Sequence, residues 1–159
     1  GLIEGMVADK QVPLFVKLPP WPRDTDNRRD ILKLAETAVD AGADGLVIAN
    51  THPIESHRLK VGRGGLSGAP LFEHPELMIA DVQALVQGNA AIIACGGVST
   101  AEQAWKLMAT GASAVQLYTS FIYEGPGLPA RINKRLVKLM SAAGISSVED
   151  ISGPPPPVK

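Results

Sequence analysis

The chain has 159 residues, 45% of them hydrophobic and 19% charged, with a formal net charge of -1; this is the composition of a single globular domain. The longest basic cluster is Arg28-Arg29, too short to track a phosphate backbone, so nothing in the charge points to a nucleic-acid partner. One cysteine, Cys95, excludes an internal disulfide framework, and no apolar run approaches the roughly 20 residues that span a bilayer.

Four short, almost wholly apolar runs stand out in chain order: Val12 to Lys17, Gly45 to Asn50, Ala91 to Cys95 and Ala114 to Thr119. Continuous apolar character, rather than alternation, marks strands covered on both faces, as in parallel sheets. A helical stripe follows each run. Ile31, Leu32, Leu34, Ala35, Ala38 and Val39 form the first, closed by Gly42. Leu77, Met78, Ile79, Val82, Leu85 and Val86 form the second, closed by Gly88. The third runs from Ala101 to Met108 with Gly111 beyond it, and the fourth from Ile132 to Met140 with Gly144 beyond it.

This β-α pattern repeated four times predicts right-handed crossovers and a parallel sheet. An open doubly wound sheet and a (β/α)₈ barrel both satisfy it. The barrel needs eight units and about 250 residues, so four units make half of one. Polar residues favour the half-barrel: Lys17, Asn50-Thr51, Gly96-Gly97 and Tyr118-Thr119 all fall at or just past strand C-termini. Barrel active sites are built on that face, whereas a doubly wound sheet typically binds at one switch point.

Ile92 to Ser99 reads as a strand entering a glycine turn and then a helix, with Ser99 and Glu102 at capping-box spacing. Glycines there let backbone approach a ligand, and the helix start offers free amides. The bland alternative is that Gly96-Gly97 merely permits a tight turn. A second loop, after Gln116-Leu117-Tyr118-Thr119, would complete the usual barrel phosphate site.

Lys17 shares a strand face with Phe15. It is either a rim lysine reaching to water or a cation beside an electron-accepting cofactor. Asn50 can donate and accept, which suits a planar substrate with alternating carbonyls and N–H groups; it could equally start a turn. Residues 52 to 75 form a long connection carrying Gly62-Arg63-Gly64-Gly65-Leu66-Ser67-Gly68, and connections of this length are usually functional or disordered. The histidines lack ligand spacing with Cys95 or an acidic partner, so no metal site is expected. Cys95 reads as a small core residue rather than a nucleophile. Gly153-Pro154-Pro155-Pro156-Pro157 cannot form helix or central strand, so 153–159 is expected to be a disordered, proline-rich tail.

Together these residues resemble the dihydroorotate dehydrogenases. Ile92 through Gly97-Val98, Thr100, Ala104 and Gly111-Ala112 match that family's C-terminal signature. Val16-Lys17, Asn50-Thr51, Gly64 to Leu71 and Gln116 to Thr119 fall in the family's order, and the likeness covers about residues 10 to 152. Leu66-Ser67-Gly68, Leu117-Tyr118-Thr119 and Tyr123-Glu124-Gly125-Pro126-Gly127 resemble the quinone-linked, membrane-associated branch, while Leu18-Pro19-Pro20 resembles the soluble branch.

The resemblance implies that residues 1–152 are the C-terminal half, four β-α units, of an FMN-binding (β/α)₈ TIM barrel. That enzyme oxidises dihydroorotate to orotate in pyrimidine biosynthesis and passes electrons to a quinone. Residue by residue it implies Lys17 at the flavin's pyrimidine edge and Gly68, Gly97, Tyr118 and Thr119 at its phosphate. Asn50 and Thr51 are implied to hold dihydroorotate or orotate. Ala49 occupies a flavin-contact position where relatives usually carry Thr, which removes one side-chain contact.

With Gly1 in place of an initiating Met, the expectation is a truncated chain. The catalytic serine base, four strands and the helices that dock peripherally on the inner membrane, bacterial or mitochondrial, and receive the quinone would precede Gly1. A half-barrel alone is expected to be inactive and self-associating, because its strand edges are open. Another flavin- or phosphate-binding barrel oxidoreductase, such as a hydroxy-acid oxidase, or an inactive phosphate-binding half-barrel remain the alternatives.

Overall fold

The computed structural model describes residues 1–20 and 25–157. Its helices are α1 (Leu2–Ala8), α2 (Thr25–Asp40), α3 (Glu73–Val86), α4 (Ala101–Ala109), α5 (Thr119–Glu124) and α6 (Leu128–Ala143). The strands are β1 (Phe15–Lys17), β2 (Gly45–Ile48), β3 (His52–Glu55), β4 (Arg63–Leu66), β5 (Ala91–Cys95) and β6 (Ala114–Gln116).

Four strands form one parallel sheet in the order β1-β2-β5-β6. Sequence order and spatial order agree, so every crossover steps in the same direction. A doubly wound sheet would reverse at a switch point; a monotonic parallel sheet is one arc of a barrel.

Alternation within the strands sorts their side chains. Leu46, Ile48, Ile92 and Ala94 are fully buried and join one core with Ala35, Ala38, Met78, Ile79, Val82, Ala104, Trp105, Leu107, Ile132 and Leu139 from the helices. Each large aliphatic chain in that layer contributes roughly 1.5–3 kcal/mol by leaving water. On the other face the register aligns Phe15 with Gly45 and Ala91, and Lys17 with Val47, Ile93 and Ala114. Gly45 is required there: a Cβ on it would fall 2.3 Å from the Phe15 ring, so the ring lies across the bare glycine.

Neighbouring helices are also linked by ion pairs, Arg28–Asp81 between α2 and α3, Lys106–Glu76 between α3 and α4, and Arg135–Glu102 between α4 and α6. Such partly exposed pairs add at most about 1 kcal/mol each. Arg135's hydrogen bond to Glu102, at 2.9 Å, holds that carboxyl below the usual range.

Several boundaries differ from the sequence reading. Residues 52–66 are not a bare loop: β3 and β4 pair as an antiparallel hairpin, His52 opposite Leu66 and Glu55 opposite Arg63. The α4 capping box is Thr100 with Gln103, not Ser99 with Glu102. Thr100 keeps an extended backbone, its Oγ1 accepts the Gln103 N–H, and Gln103 Oε1 accepts the Thr100 N–H, both at 3.1 Å. That leaves Glu102 free to face Arg135. The last strand stops at Gln116, and Thr119 begins α5 rather than ending β6. At the proline-rich end, the Gly153 carbonyl accepts the Trp105 indole N–H at 3.1 Å; residues 158–159 lie outside the described residues.

Asp44 ties the lead-in to β1 onto the start of β2. Its carboxylate accepts from Lys10 Nζ and from the Leu14 N–H, each at 2.7 Å, and the Lys10 hydrogen bond is the main cause that lowers its pKa. A depressed carboxylate pKa stabilises the fold above the unfolded-chain value, about 4, and that contribution disappears as the pH falls through the folded value. Asp44→Asn is therefore expected to lower the melting temperature at pH 7, with the gap to wild type shrinking below about pH 4. Thermal melts across that range check it; a gap independent of pH would show that the ionised carboxylate contributes nothing.

Candidate functional site

All four parallel strands end on the same rim. Lys17 closes β1, Ala49-Asn50 follow β2, Cys95-Gly96-Gly97 close β5 and follow it, and Leu117-Tyr118-Thr119 follow β6. Apolar strands bring them there; their polar character begins where the covered ladder stops.

One group gathers around Cys95. Lys17 Nζ donates to Cys95 Sγ at 3.4 Å, spanning the intervening β2, and the lysine is otherwise exposed. Ala49 is buried and donates its N–H to the Cys95 carbonyl at 2.9 Å, continuing the ladder by one bond. Asn50 Oδ1 accepts the Thr51 N–H at 2.8 Å, which leaves its amide NH₂ outward. Ala49, Asn50 and Cys95 border a water-sized crevice of about 10 Å³ closed by Pro20, His52 and Pro75.

A second group encloses a cavity of about 220 Å³ lined by Thr51, Gly68, Gly97, Val98, Tyr118 and Thr119, with Ser67, Cys95, Leu117 and Ser120. Its walls meet closely. A Cβ on Gly68, at φ 80°, would lie 3.0 Å from Thr119 Cγ2. One on Gly97, at φ 73°, would lie 2.5 Å from both N and Cα of Phe72, and one on Gly65 would lie 2.4 Å from Thr51 Oγ1. Glycine is demanded twice at Gly97, by the left-handed backbone and by the approach of the Phe72 main chain.

The structure thus brings Gly68, Gly97, Tyr118, Thr119 and Thr51 to one cavity, and Lys17, Ala49 and Asn50 to its flank, with Cys95 bordering both. Tyr118 lines the cavity with most of its side chain in solvent. Ser67, from the Leu66-Ser67-Gly68 motif, and Cys95, at the end of β5, line it too, and so does Ser120, which the sequence reading did not single out. Ser120 directly follows Thr119, which was the available clue. No three His, Cys, Asp or Glu side chains cluster as metal ligands would among the described residues.

Thr51, Ser67, Thr119 and Ser120 bring hydroxyls to the cavity, and the bare backbone of Gly68 and Gly97 lets its walls close on Thr119 and on the Phe72 main chain. Lys17 supplies the cation at the rim.

Gly97→Ala is expected to destabilise the fold by about 3 kcal/mol or more, as a buried clash at a left-handed position does. Gly88→Ala, at φ 84° with open space around it, should cost only the conformational term of about 1–2 kcal/mol. Urea titrations of both variants give the comparison; equal losses would mean that the Phe72 main chain yields without cost.

The chain is similar to known proteins over most of its length. The family model for dihydroorotate dehydrogenase matches residues 2–140. The mitochondrial dihydroorotate dehydrogenase (quinone) of Oryza sativa subsp. japonica is 37% identical over 150 residues, covering 91% of this chain and 31% of that protein. The dihydroorotate dehydrogenase (quinone) of Cereibacter sphaeroides strain KD131 is 39% identical over 162 residues, covering 96% of this chain and 44% of that one. Ligand-free DHODH from Eimeria tenella superimposes with a TM-score of 0.76 at 37% identity, over 91% of this chain and 40% of that structure. The chain therefore spans less than half the length of these relatives. On the extent and identity of these matches, the chain belongs to the dihydroorotate dehydrogenase family.

Proposed function

We propose that the protein carrying these four β-α units oxidises dihydroorotate to orotate in pyrimidine biosynthesis, with FMN bound at this rim and a quinone as electron acceptor. The observation that carries the proposal is the convergence of Gly68, Gly97 and Thr119 on one cavity, beside Lys17 and Asn50 on the same end of a parallel sheet.

In this reading Gly68, Gly97, Tyr118 and Thr119 hold the phosphate; the two glycines let the cavity walls close on Thr119 and the Phe72 main chain, and the Thr119 hydroxyl lines the space between them. Ala49 gives the flavin a buried, flat wall without a hydroxyl. Lys17 holds positive charge at the ring's pyrimidine edge, where reduction builds negative charge. Bound there, FMN would supply the hydride acceptor and relay electrons onward. Asn50 and Thr51 orient the planar substrate through amide and hydroxyl hydrogen bonds. The base that removes the substrate proton is assigned to the family's serine, which has no counterpart among these rim residues.

Quinone delivery and peripheral docking on an inner membrane belong to the same proposal. The matched relatives are named as quinone enzymes, two of them mitochondrial and others from bacteria. Among the described residues no helix is long and apolar enough to cross a membrane.

The complete protein is expected to purify with FMN and to reduce a soluble quinone when given dihydroorotate. Reduction of fumarate or NAD instead, with the quinone inert, would assign it to a different branch. In that protein Lys17→Ala should weaken FMN retention or slow flavin reduction on the order of tenfold, as loss of a charged hydrogen-bond partner does. Lys138→Ala, on the exposed side of α6, should leave both unchanged. Stopped-flow reduction and flavin-release assays measure this; matching effects from the two would reduce Lys17 to a rim residue.

A further inference from the structure

Ser120 lines the cavity beside Thr119, yet its hydroxyl proton is committed elsewhere: Oγ donates to the Val98 carbonyl at 2.5 Å. A serine hydroxyl has one proton, so Ser120 cannot also donate to an anion in the cavity. The same Val98–Ser99 peptide is held at its other end, where the Ser99 N–H donates to Gln103 Oε1 at 2.8 Å. A peptide unit is a rigid plane. Fixing its carbonyl from the β6–α5 side and its N–H from α4 sets the orientation of that plane.

This matters because of what precedes it. Gly96 and Gly97, at φ 131° and 73°, lack the side chains that restrict other residues, and glycine loses the most conformational freedom on ordering. Without an external hold, the turn that lines the cavity with Gly97 and Val98 would have more conformations to lose on binding. Ser120 is also the cross-link between two walls: Gly97 and Val98 belong to the β5–α4 turn, Thr119 and Ser120 to the start of α5.

We propose that Ser120 is a positioning residue for the cofactor phosphate, pinning the Gly97-Val98 backbone against Thr119 so that the cradle is formed before the ligand arrives. Preorganisation of this kind raises affinity by removing an ordering cost at binding. The inference rests on the FMN reading above and goes beyond it, because it assigns a residue that touches the cradle without contacting the ligand.

The test is fluorescence titration of the complete apoprotein with FMN and, separately, with riboflavin, which lacks the phosphate. Ser120→Ala should bind FMN about 3- to 10-fold more weakly, the effect of one lost hydrogen bond, while its riboflavin affinity stays at the wild-type value. Ser120→Thr, which keeps the hydroxyl, should restore FMN binding, and circular dichroism melts of the variants establish that each is folded. Unchanged FMN affinity in Ser120→Ala, or equal losses for FMN and riboflavin, overturns the pin while leaving the cofactor reading standing. If the wild-type apoprotein binds neither ligand, the cofactor reading itself fails and the pin falls with it.

Discussion

The site depends on the approach of the Phe72 main chain to Gly97, closer than any residue with a Cβ would allow. Phe72 sits where a 3-10 turn (Ala69–Leu71) hands over to α3, and Gly97 sits in the turn from β5 into α4. Bringing those two backbones together places Gly68 beside Thr119, and it makes the Val98 carbonyl reachable from Ser120. Three segments far apart in sequence, 67–72, 97–98 and 117–120, therefore close on one another as walls of a single cavity. Packing among backbone atoms sets the shape, and side-chain chemistry is added afterwards by Thr119 and Lys17.

The electrostatic part is organised by a different rule. Lys17 belongs to an edge strand of the sheet and crosses β2 to reach Cys95 on β5. Its stem lies on the sheet face opposite the helices, where Phe15 covers Gly45 and Val47 and Ile93 continue the apolar layer. A lysine at the end of such a layer has its stem oriented by its neighbours while its head still meets solvent. Because Cys95 also lines the cavity, Lys17 Nζ is carried from the β1 edge to that cavity's flank.

Much of this was legible in the sequence, for reasons that differ by element. β2 and β5 were readable because both of their faces are covered, which removes polar residues altogether. α2, α3, α4 and α6 were readable from their apolar stripes and their closing glycines. The hairpin was not, since Pro53 breaks a strand pattern and Gly64-Gly65 offers no side chains to alternate. Thr119 was read as strand because Leu117-Tyr118 continues the apolar run, although the ladder ends at Gln116. Ser99 and Glu102 have the composition of a capping box just as Thr100 and Gln103 do; the structure uses the second pair, and Glu102 bonds Arg135 on α6 instead. The Lys17–Cys95 and Ser120–Val98 contacts are tertiary and leave no local trace.

The four-stranded sheet also says how the site divides between this stretch and the rest of a barrel. β1 and β6 are the sheet's edges, and among the described residues the helices that share the core lie on the face opposite Phe15 and Lys17. In an eight-stranded ring the face carrying Phe15 and Lys17 is the interior, filled by layers drawn from alternate strands all the way round. Phe15, exposed at 39% here, is such an interior residue seen from one arc. The cavity walled by Gly68, Gly97, Val98 and Thr119 closes through contacts within the arc. Lys17 instead extends from the sheet face that the other strands of a ring would cover, so its surroundings depend on them. The cavity is therefore a feature of this arc, and the setting of Lys17 a feature of the closed barrel.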